Sequence, residues 1–262
     1  MREAVIHRVL GALRFVDATT GQPIAPKLRF SADKRIDLRR NASGAYVVWG
    51  ADGLETHTGH QAGATEADLE ALFESPPTAP PAGSIAYDIT VDDPTGALLS
   101  RRFELRLPRA PTGDLFEALE VPLYRAPASR PSGSSAVIYV FVHDGRGQPG
   151  KLPGAVVTLK VSGVEVGRGV TGPTGEALIE ATSLASFVIA EGGSALTTKE
   201  IAATVRAAVL PTSLRQEAGT WRVEVQPNPE SPAFEGPSAK SATAQVSLTV
   251  GRPANVSLSI SL

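Results

Sequence analysis

The chain has 262 residues, a formal net charge of −2 and no cysteine, which excludes a disulfide framework, a thiolate metal site and a cysteine nucleophile. The first 130 residues hold 15 Lys/Arg against 17 Asp/Glu and the remainder 10 against 10, so neither part has the positive excess of a dedicated nucleic-acid binder. With 25 Gly, 21 Pro and no run near the roughly 18 apolar residues of a membrane span, the composition points to a turn-rich globular chain of one large or two ordinary domains, without membrane insertion.

At the start of the chain, His7, Arg8 and Arg14 interrupt the apolar residues, so the segment lacks a signal-peptide core. The expectation is cytoplasmic synthesis, with exit from the cell only as part of a released particle or by lysis. Next comes Phe15–Pro23, FVDATTGQP, which is echoed by Phe141–Pro149, FVHDGRGQP. A second pair follows in the same order: Ser43–Val48 reads SGAYVV and Thr174–Ile179 reads TGEALI. Two landmarks recurring at nearly one separation predict two copies of a domain rather than a short-period solenoid. Between them, Arg125–Ser135 carries Pro127, Pro131 and no apolar periodicity, which is linker composition. The expected division is therefore domain one at 1–125, a linker at 126–135 and domain two at 136–262.

Strand patterns dominate both parts. Ile85, Tyr87, Ile89 and Val91 alternate with Ala86, Asp88 and Thr90; the turn Asp93-Pro94-Thr95-Gly96 follows. Phe103, Leu105 and Leu107 then alternate with Arg102, Glu104 and Arg106, which predicts a hairpin with one wet face. Further on, Val157, Leu159 and Val161 have the same period, as do Trp221, Val223 and Val225. The last strands are expected at 246–250 and 256–262, with Val256, Leu258, Ile260 and Leu262 on one side and serines on the other. Two short helices are expected. Thr65–Glu74 has Thr65 as a cap, and Thr197–Leu210 has Ile201, Val205 and Val209 spaced by four and Pro211 as a stop. The sum is an all-β chain of two tandem sandwiches; closure into small barrels fits the same periodicity.

The chemistry-bearing residues are few. His57 and His60 could share a metal with Asp52 or Glu55, but the surrounding segment reads as a polar loop with no other histidine near it. Asp92 and Asp93 could bind calcium with Asp88, yet the turn already accounts for Asp93. There is no G-x-S-x-G, and the Gly-rich run Gly163–Gly175 lacks a Lys-Ser/Thr ending, so neither a nucleophile elbow nor a phosphate loop is present. No cofactor and no enzymatic activity are expected. Two basic clusters remain: Lys27, Arg29, Lys34, Arg35, Arg39 and Arg40, then Arg101, Arg102, Arg106 and Arg109. If their strands are neighbours, one face of domain one would be positive and could grip an acidic partner surface or polyanion. The bland alternative is a solvated face whose charges discourage aggregation. Base-stacking aromatics are absent around both clusters, which argues against single-stranded nucleic acid.

Val140-x-Val142, Asp144, Gly147-Gln148-Pro149, Leu152-Pro153-Gly154-Ala155, Val157-x-Leu159, and Thr171 followed by Gly175 make the second half resemble carboxypeptidase regulatory-like, transthyretin-like sandwiches. The same residues fit bacterial immunoglobulin-like domains. The first half matches in outline, through Asp17, Gly21-Gln22-Pro23 and Ser43-Gly44. The resemblance implies tandem Ig-like or transthyretin-like sandwiches. The run Arg101–Arg109, RRFELRLPR, then Val121–Tyr124, VPLY, and a Pro-rich joint are also similar to accessory proteins of phage-tail-like contractile injection particles. That resemblance implies a structural or connecting subunit whose partners are other protein subunits, copies of itself included. The alternative function is a surface-recognition module for glycan or protein.

Overall fold

The computed structural model describes residues 5–7, 9–24, 27–54, 57–60, 84–109, 118–130, 136–146, 150–181 and 200–262. The expected helix at Thr65–Glu74 and the Gly147-Gln148-Pro149 turn lie outside them. Among the described residues the chain is all β, with no regular helix beyond short 3-10 turns at Pro211–Ser213 and Pro232–Glu235.

The strands of the first half are β1 (Val5–His7), β2 (Gly11–Asp17), β3 (Arg29–Ala32), β4 (Ile36–Arg40), β5 (Tyr46–Ala51), β6 (His57–His60), β7 (Ile85–Asp92), β8 (Arg101–Leu107) and β9 (Leu119–Leu123). Those of the second half are β10 (Ala136–His143), β11 (Val156–Val161), β12 (Val164–Val170), β13 (Glu176–Ala181), β14 (Ile201–Val209), β15 (Leu214–Glu217), β16 (Thr220–Val223), β17 (Lys240–Leu248) and β18 (Ala254–Ser259). The chain forms two compact units. The first holds Met1–Val16, Pro23–Val91 and Arg102–Val121; the second holds Asp17–Gln22, Asp92–Arg101 and Pro122–Leu262. The chain thus passes from one unit to the other within β2, β7, β8 and β9.

In the first unit, one sheet runs β4-β5-β2-β9 and another β3-β7-β8, with β1 paired to β6. The expected alternation holds along β7 and β8: Tyr87, Ile89, Val91, Leu105 and Leu107 are buried, while Arg102, Glu104 and Arg106 are exposed. Rings from both sheets meet at Phe15 on β2, which lies 5.6 Å from Phe30 of β3, 5.6 Å from Tyr46 of β5 and 6.3 Å from Phe103 of β8. These tilted and edge-on contacts add about 0.5–1.5 kcal/mol per pair to simple burial.

The second unit is built on the sheets β12-β11-β14-β17 and β13-β10-β18, plus the hairpin β15-β16. Ile138, Val140 and Val142 face Val157, Leu159, Val205 and Val209 across a continuous core. β18 lies parallel to β10, with Val256 opposite Val140 and Leu258 opposite Val142. The last strand is therefore tucked into its own sheet. The LPGA segment has a clear role here. Leu152 and Ala155 are fully buried, and the Thr171 hydroxyl donates to the Leu152 carbonyl (2.7 Å) while accepting from the Ala155 amide (2.8 Å). Gly175 has φ +74°, and a Cβ there would sit 2.7 Å from the Val142 carbonyl oxygen, so only glycine fits.

Of the residues expected as a helix at Thr197–Leu210, Ile201–Val209 form β14 instead, paired antiparallel with β11 and β17. The reason is arithmetic. A spacing of four is also twice two, and Ala203 and Ala207 complete the odd-numbered row that Ile201, Val205 and Val209 begin. Ala203, Val205, Ala207 and Val209 are all buried, and flanking strands supply the hydrogen bonds that a helix would have made internally. A smaller departure concerns Val225, which lies beyond β16 and is exposed.

The sequence echo corresponds to shared local devices. Val16 bridges Pro23, and the Asp17 amide donates to the Gln22 carbonyl; His143 bridges Lys151, and the Asp144 amide donates to the Gly150 carbonyl. Both aspartates are buried, and each accepts amides of its own loop. At the second landmark, Gly44 donates to the Asn41 carbonyl and the Asn41 amide to that of Ala45. Gly175, Gly172 and Glu176 repeat that pattern.

Candidate interaction surfaces

The structure sorts the ten basic residues of the two clusters by partner. Lys34 donates to the Ala86 carbonyl (2.9 Å) and lies 5.3 Å from the Tyr87 ring centroid. Arg35 pairs with Asp37 (2.8 Å), Arg102 with Asp88 (2.8 Å) and Arg106 with Glu104 (2.8 Å). Arg109 is half-buried, its amide donating to Leu10. The exposed residues Lys27, Arg29, Arg39 and Arg40 have no carboxylate partner among the described residues. The clusters also divide by sheet: Arg29, Arg102 and Arg106 belong to β3-β7-β8, whereas Arg39 and Arg40 lie on β4, which among the described residues is the edge of the other sheet. A single positive face is thereby replaced by a sheet face on which Arg102 and Arg106 are paired and Arg29 is exposed, and by a separate basic strand, β4.

Arg101 leaves the expected face altogether. It is 8% exposed and belongs to the second unit, where it donates to the Pro122 carbonyl, Asn228 (3.2 Å) and Glu230 (3.0 Å). The alternation at the start of β8 turns it inward, and its charge forces a carboxylate to follow. The Tyr124 hydroxyl donates to the same Glu230, and burial together with that bond pushes it well above its ordinary pKa. A companion node lies at Arg125, which donates to Asp17 (3.1 and 2.9 Å) and pairs with Glu180 (3.4 Å). Both nodes sit by a second apolar cluster of Tyr124, Val156, Val170, Ala208 and Phe234, joined by Ala18, Leu99 and Leu210. That cluster explains why β11 is buried on both faces. At the end of the segment expected as domain one, Arg125 bridges Leu98, and the Ala126 amide donates to the Ala97 carbonyl.

Sheet residues line a hollow in each unit. In the first unit, Arg39, Arg40, Asn41, Val47 and Trp49 line an open hollow of about 450 Å³. Trp49 is 38% exposed, rare for so large a ring. In the second unit, Tyr139 and Phe141 point outward from β10 into a hollow of about 780 Å³, flanked by Asn255 and Ser257 of β18, Glu176 of β13 and Pro127. The register puts Tyr139 opposite Asn255, and Phe141 between Glu176 and Ser257. His143 continues the row, its ring stacked 5.5 Å from that of Phe141. Sequence reading missed these aromatics because Ala136–His143 is apolar almost throughout. The one available signal was that the bulky rings fall on alternate positions.

Among the described residues no group of three or more His, Asp or Glu is placed to hold a metal. The Asp93 carboxylate accepts from the amides of Thr95 (2.9 Å), Ala97 (3.0 Å) and Leu98 (3.1 Å), and Asp88 is engaged by Arg102. Although burial works against the charge, those hydrogen bonds hold Asp93 below the usual carboxylate range. The histidine expectation needs one correction. Pairing of β1 with β6 sets His7 opposite His57 and Val5 opposite His60, so a third histidine shares the pair's strand ladder. The side chains of these strands lie outside the described residues.

No protein-family model and no curated protein matches the chain. Among solved structures it is similar to the major pilin subunit of Bacillus cereus, at 9% identity and a TM-score of 0.25, over 100% of this chain and 71% of the pilin. A likeness that weak carries no argument, and the β-sandwich architecture rests on the strands and sheets themselves.

Proposed function

We propose that the chain is a non-enzymatic structural or connecting subunit of a larger protein assembly. The observation that carries this reading is the use made of its buried charge. Arg101 and Arg125 join groups 129 and 108 residues apart in sequence, fixing loops and strand ends onto the second unit. Buried ion pairs of this kind hold geometry at a cost in desolvation, which suits a body whose surfaces must keep a set spacing. The more specific reading, an accessory subunit of a contractile injection particle, takes its support from the resemblance at Arg101–Arg109 and Val121–Tyr124, and entails assembly in the cytoplasm. Purification of the tagged protein from its native source, followed by electron microscopy and mass spectrometry, tests both. Copurification with sheath, tube or baseplate subunits is the expected result. A free monomer without associated subunits would sink the proposal.

The outward row of Tyr139, Phe141 and His143 favours a second reading, a recognition module. Aromatic faces flanked by Asn255, Ser257 and Glu176 suit a ligand with apolar and hydrogen-bonding sides, such as a saccharide. A glycan panel probed with the native protein and with Tyr139→Ser separates the two readings: specific binding lost in the variant favours recognition.

A further inference from the structure

We infer that the hollow beside β4 and β5 in the first unit docks an acidic, extended polypeptide segment, with Arg39 and Arg40 pairing its carboxylates and Trp49 and Val47 receiving an apolar side chain. The inference rests on the reading of the chain as a connecting subunit and names its partner-binding surface. Four observations converge on it. First, Lys34, Arg35, Arg102 and Arg106 have partners, whereas Arg39 and Arg40, like Lys27 and Arg29 elsewhere in the unit, are exposed and have no carboxylate partner among the described residues. The nearest acid on the strand, Asp37, is turned back to Arg35 at 2.8 Å.

Second, the geometry is that of a prepared surface. Arg39 lies directly opposite Val47 in the β4–β5 ladder, and directly opposed residues share a sheet face. Trp49 is two residues beyond Val47 and so shares that face. The register shift between Asp37 and Leu38 bends the strand beside Trp49. At the far end, the Asn41 side-chain oxygen Oδ1 accepts from the Ser43 hydroxyl (2.8 Å) and the Ala45 amide (2.9 Å), which fixes the turn next to Arg40. Third, among the described residues β4 is the edge of its sheet, so a partner running beside it can add main-chain hydrogen bonds while its alternate side chains meet Arg39 and the hollow.

Fourth, the charge pattern favours a polypeptide over a nucleic acid or sulfated glycan. Arg39, on the Val47 and Trp49 face, and its neighbour Arg40, opposite Tyr46, put two cations on a molecule of net charge −2, which suits a few carboxylates and not the long positive track that a polyanion requires. Exposed Trp and Arg are also the residues that concentrate binding energy at protein interfaces.

Calorimetric titration of the full chain with a short synthetic peptide alternating glutamate and valine, the same peptide with glutamine for glutamate, and a heparin fragment tests the inference. The glutamate peptide should bind about tenfold or more tightly than the glutamine peptide, given the strength of charge-assisted hydrogen bonds. That preference should disappear in R39Q/R40Q, and Trp49→Ala should weaken both peptides. The peptide comparison on the native protein needs no variant, so misfolding of a variant would not blunt it. Equal affinity for both peptides, no binding of the glutamate peptide, or a preference retained in R39Q/R40Q overturns the inference. Binding of the heparin fragment alone also overturns it, by assigning the hollow to a polyanion. Peptide binding by a protein that copurifies with no particle would sink the subunit reading and leave the hollow standing. A particle that forms with R39Q/R40Q, joined to failure of the peptide test, would do the reverse.

Discussion

Asp144 shows how a single residue closes a loop. Its carboxylate accepts from the Arg146 amide (3.1 Å), the Gly150 amide (3.0 Å) and the Trp221 indole N–H (2.9 Å), while Arg146 lies 5.7 Å over the Trp221 ring. Burial alone would raise its pKa, but these bonds and the Arg146 charge together hold it below the usual carboxylate range. A depressed folded value means that the stabilisation is fully present above the unfolded value of about 4 and is lost as pH falls through the folded one. Asp93 behaves in the same way. Thermal melts should therefore fall steeply only on the acid side of about pH 4, and Asp144→Asn should flatten that limb. At pH 7, Trp221→Phe should cost about 1.5–3 kcal/mol, the loss of a hydrogen bond to a charged acceptor, measurable by urea denaturation. Gly175→Ala should cost about 2 kcal/mol or more, because it combines a left-handed backbone with a close approach to Val142.

At the scale of elements, period two is strong wherever one face is wet. Arg102, Glu104 and Arg106 mark the outer face of β8 plainly. It weakens where both faces are covered: Val156 and Val157 are both buried because β11 lies between the main core and the Tyr124–Phe234 cluster. β14 shows the related failure, in which alanines blur the hydrophobic row and a spacing of four fits either structure. Substitution separates the two directly. Val205→Ala should destabilise by about 2–3 kcal/mol through a core cavity, while Thr204→Ala, on the outward side, should stay within about 0.5 kcal/mol. Were Ile201–Val209 helical, infrared amide bands and these costs would both follow a 3.6-residue period.

At the scale of the molecule, the second unit depends on segments far from it in sequence. Arg125→Ala removes the cation between Asp17 and Glu180, both nearly inaccessible, and should cost about 3–5 kcal/mol. Arg101→Ala should cost less, about 2–3 kcal/mol, because its partner Glu230 keeps partial access to water. Hydrogen exchange offers a sharper readout. Amides in 17–22 and 92–101 should lose protection in Arg125→Ala, with those of β14 unaffected short of global unfolding. Uniform loss across the unit would instead make the ion pair a general rather than a local clamp.

The amino-acid sequence by itself determined the all-β class, the strands β7, β8 and β11, parts of β16, β17 and β18, and the two echoed landmarks around Asp17–Gly44 and Asp144–Gly175. Each of these depends on residues within a few positions of one another, where backbone preference and side-chain alternation act directly. Only the tertiary structure decided that β14 is a strand, that Arg101 turns inward to Glu230, that Arg125 joins Asp17 and Glu180, and that Arg39 stands apart with Trp49. Those outcomes depend on which distant segments share a sheet or a core, and burial assigns a charge its partner only after the sheets have met.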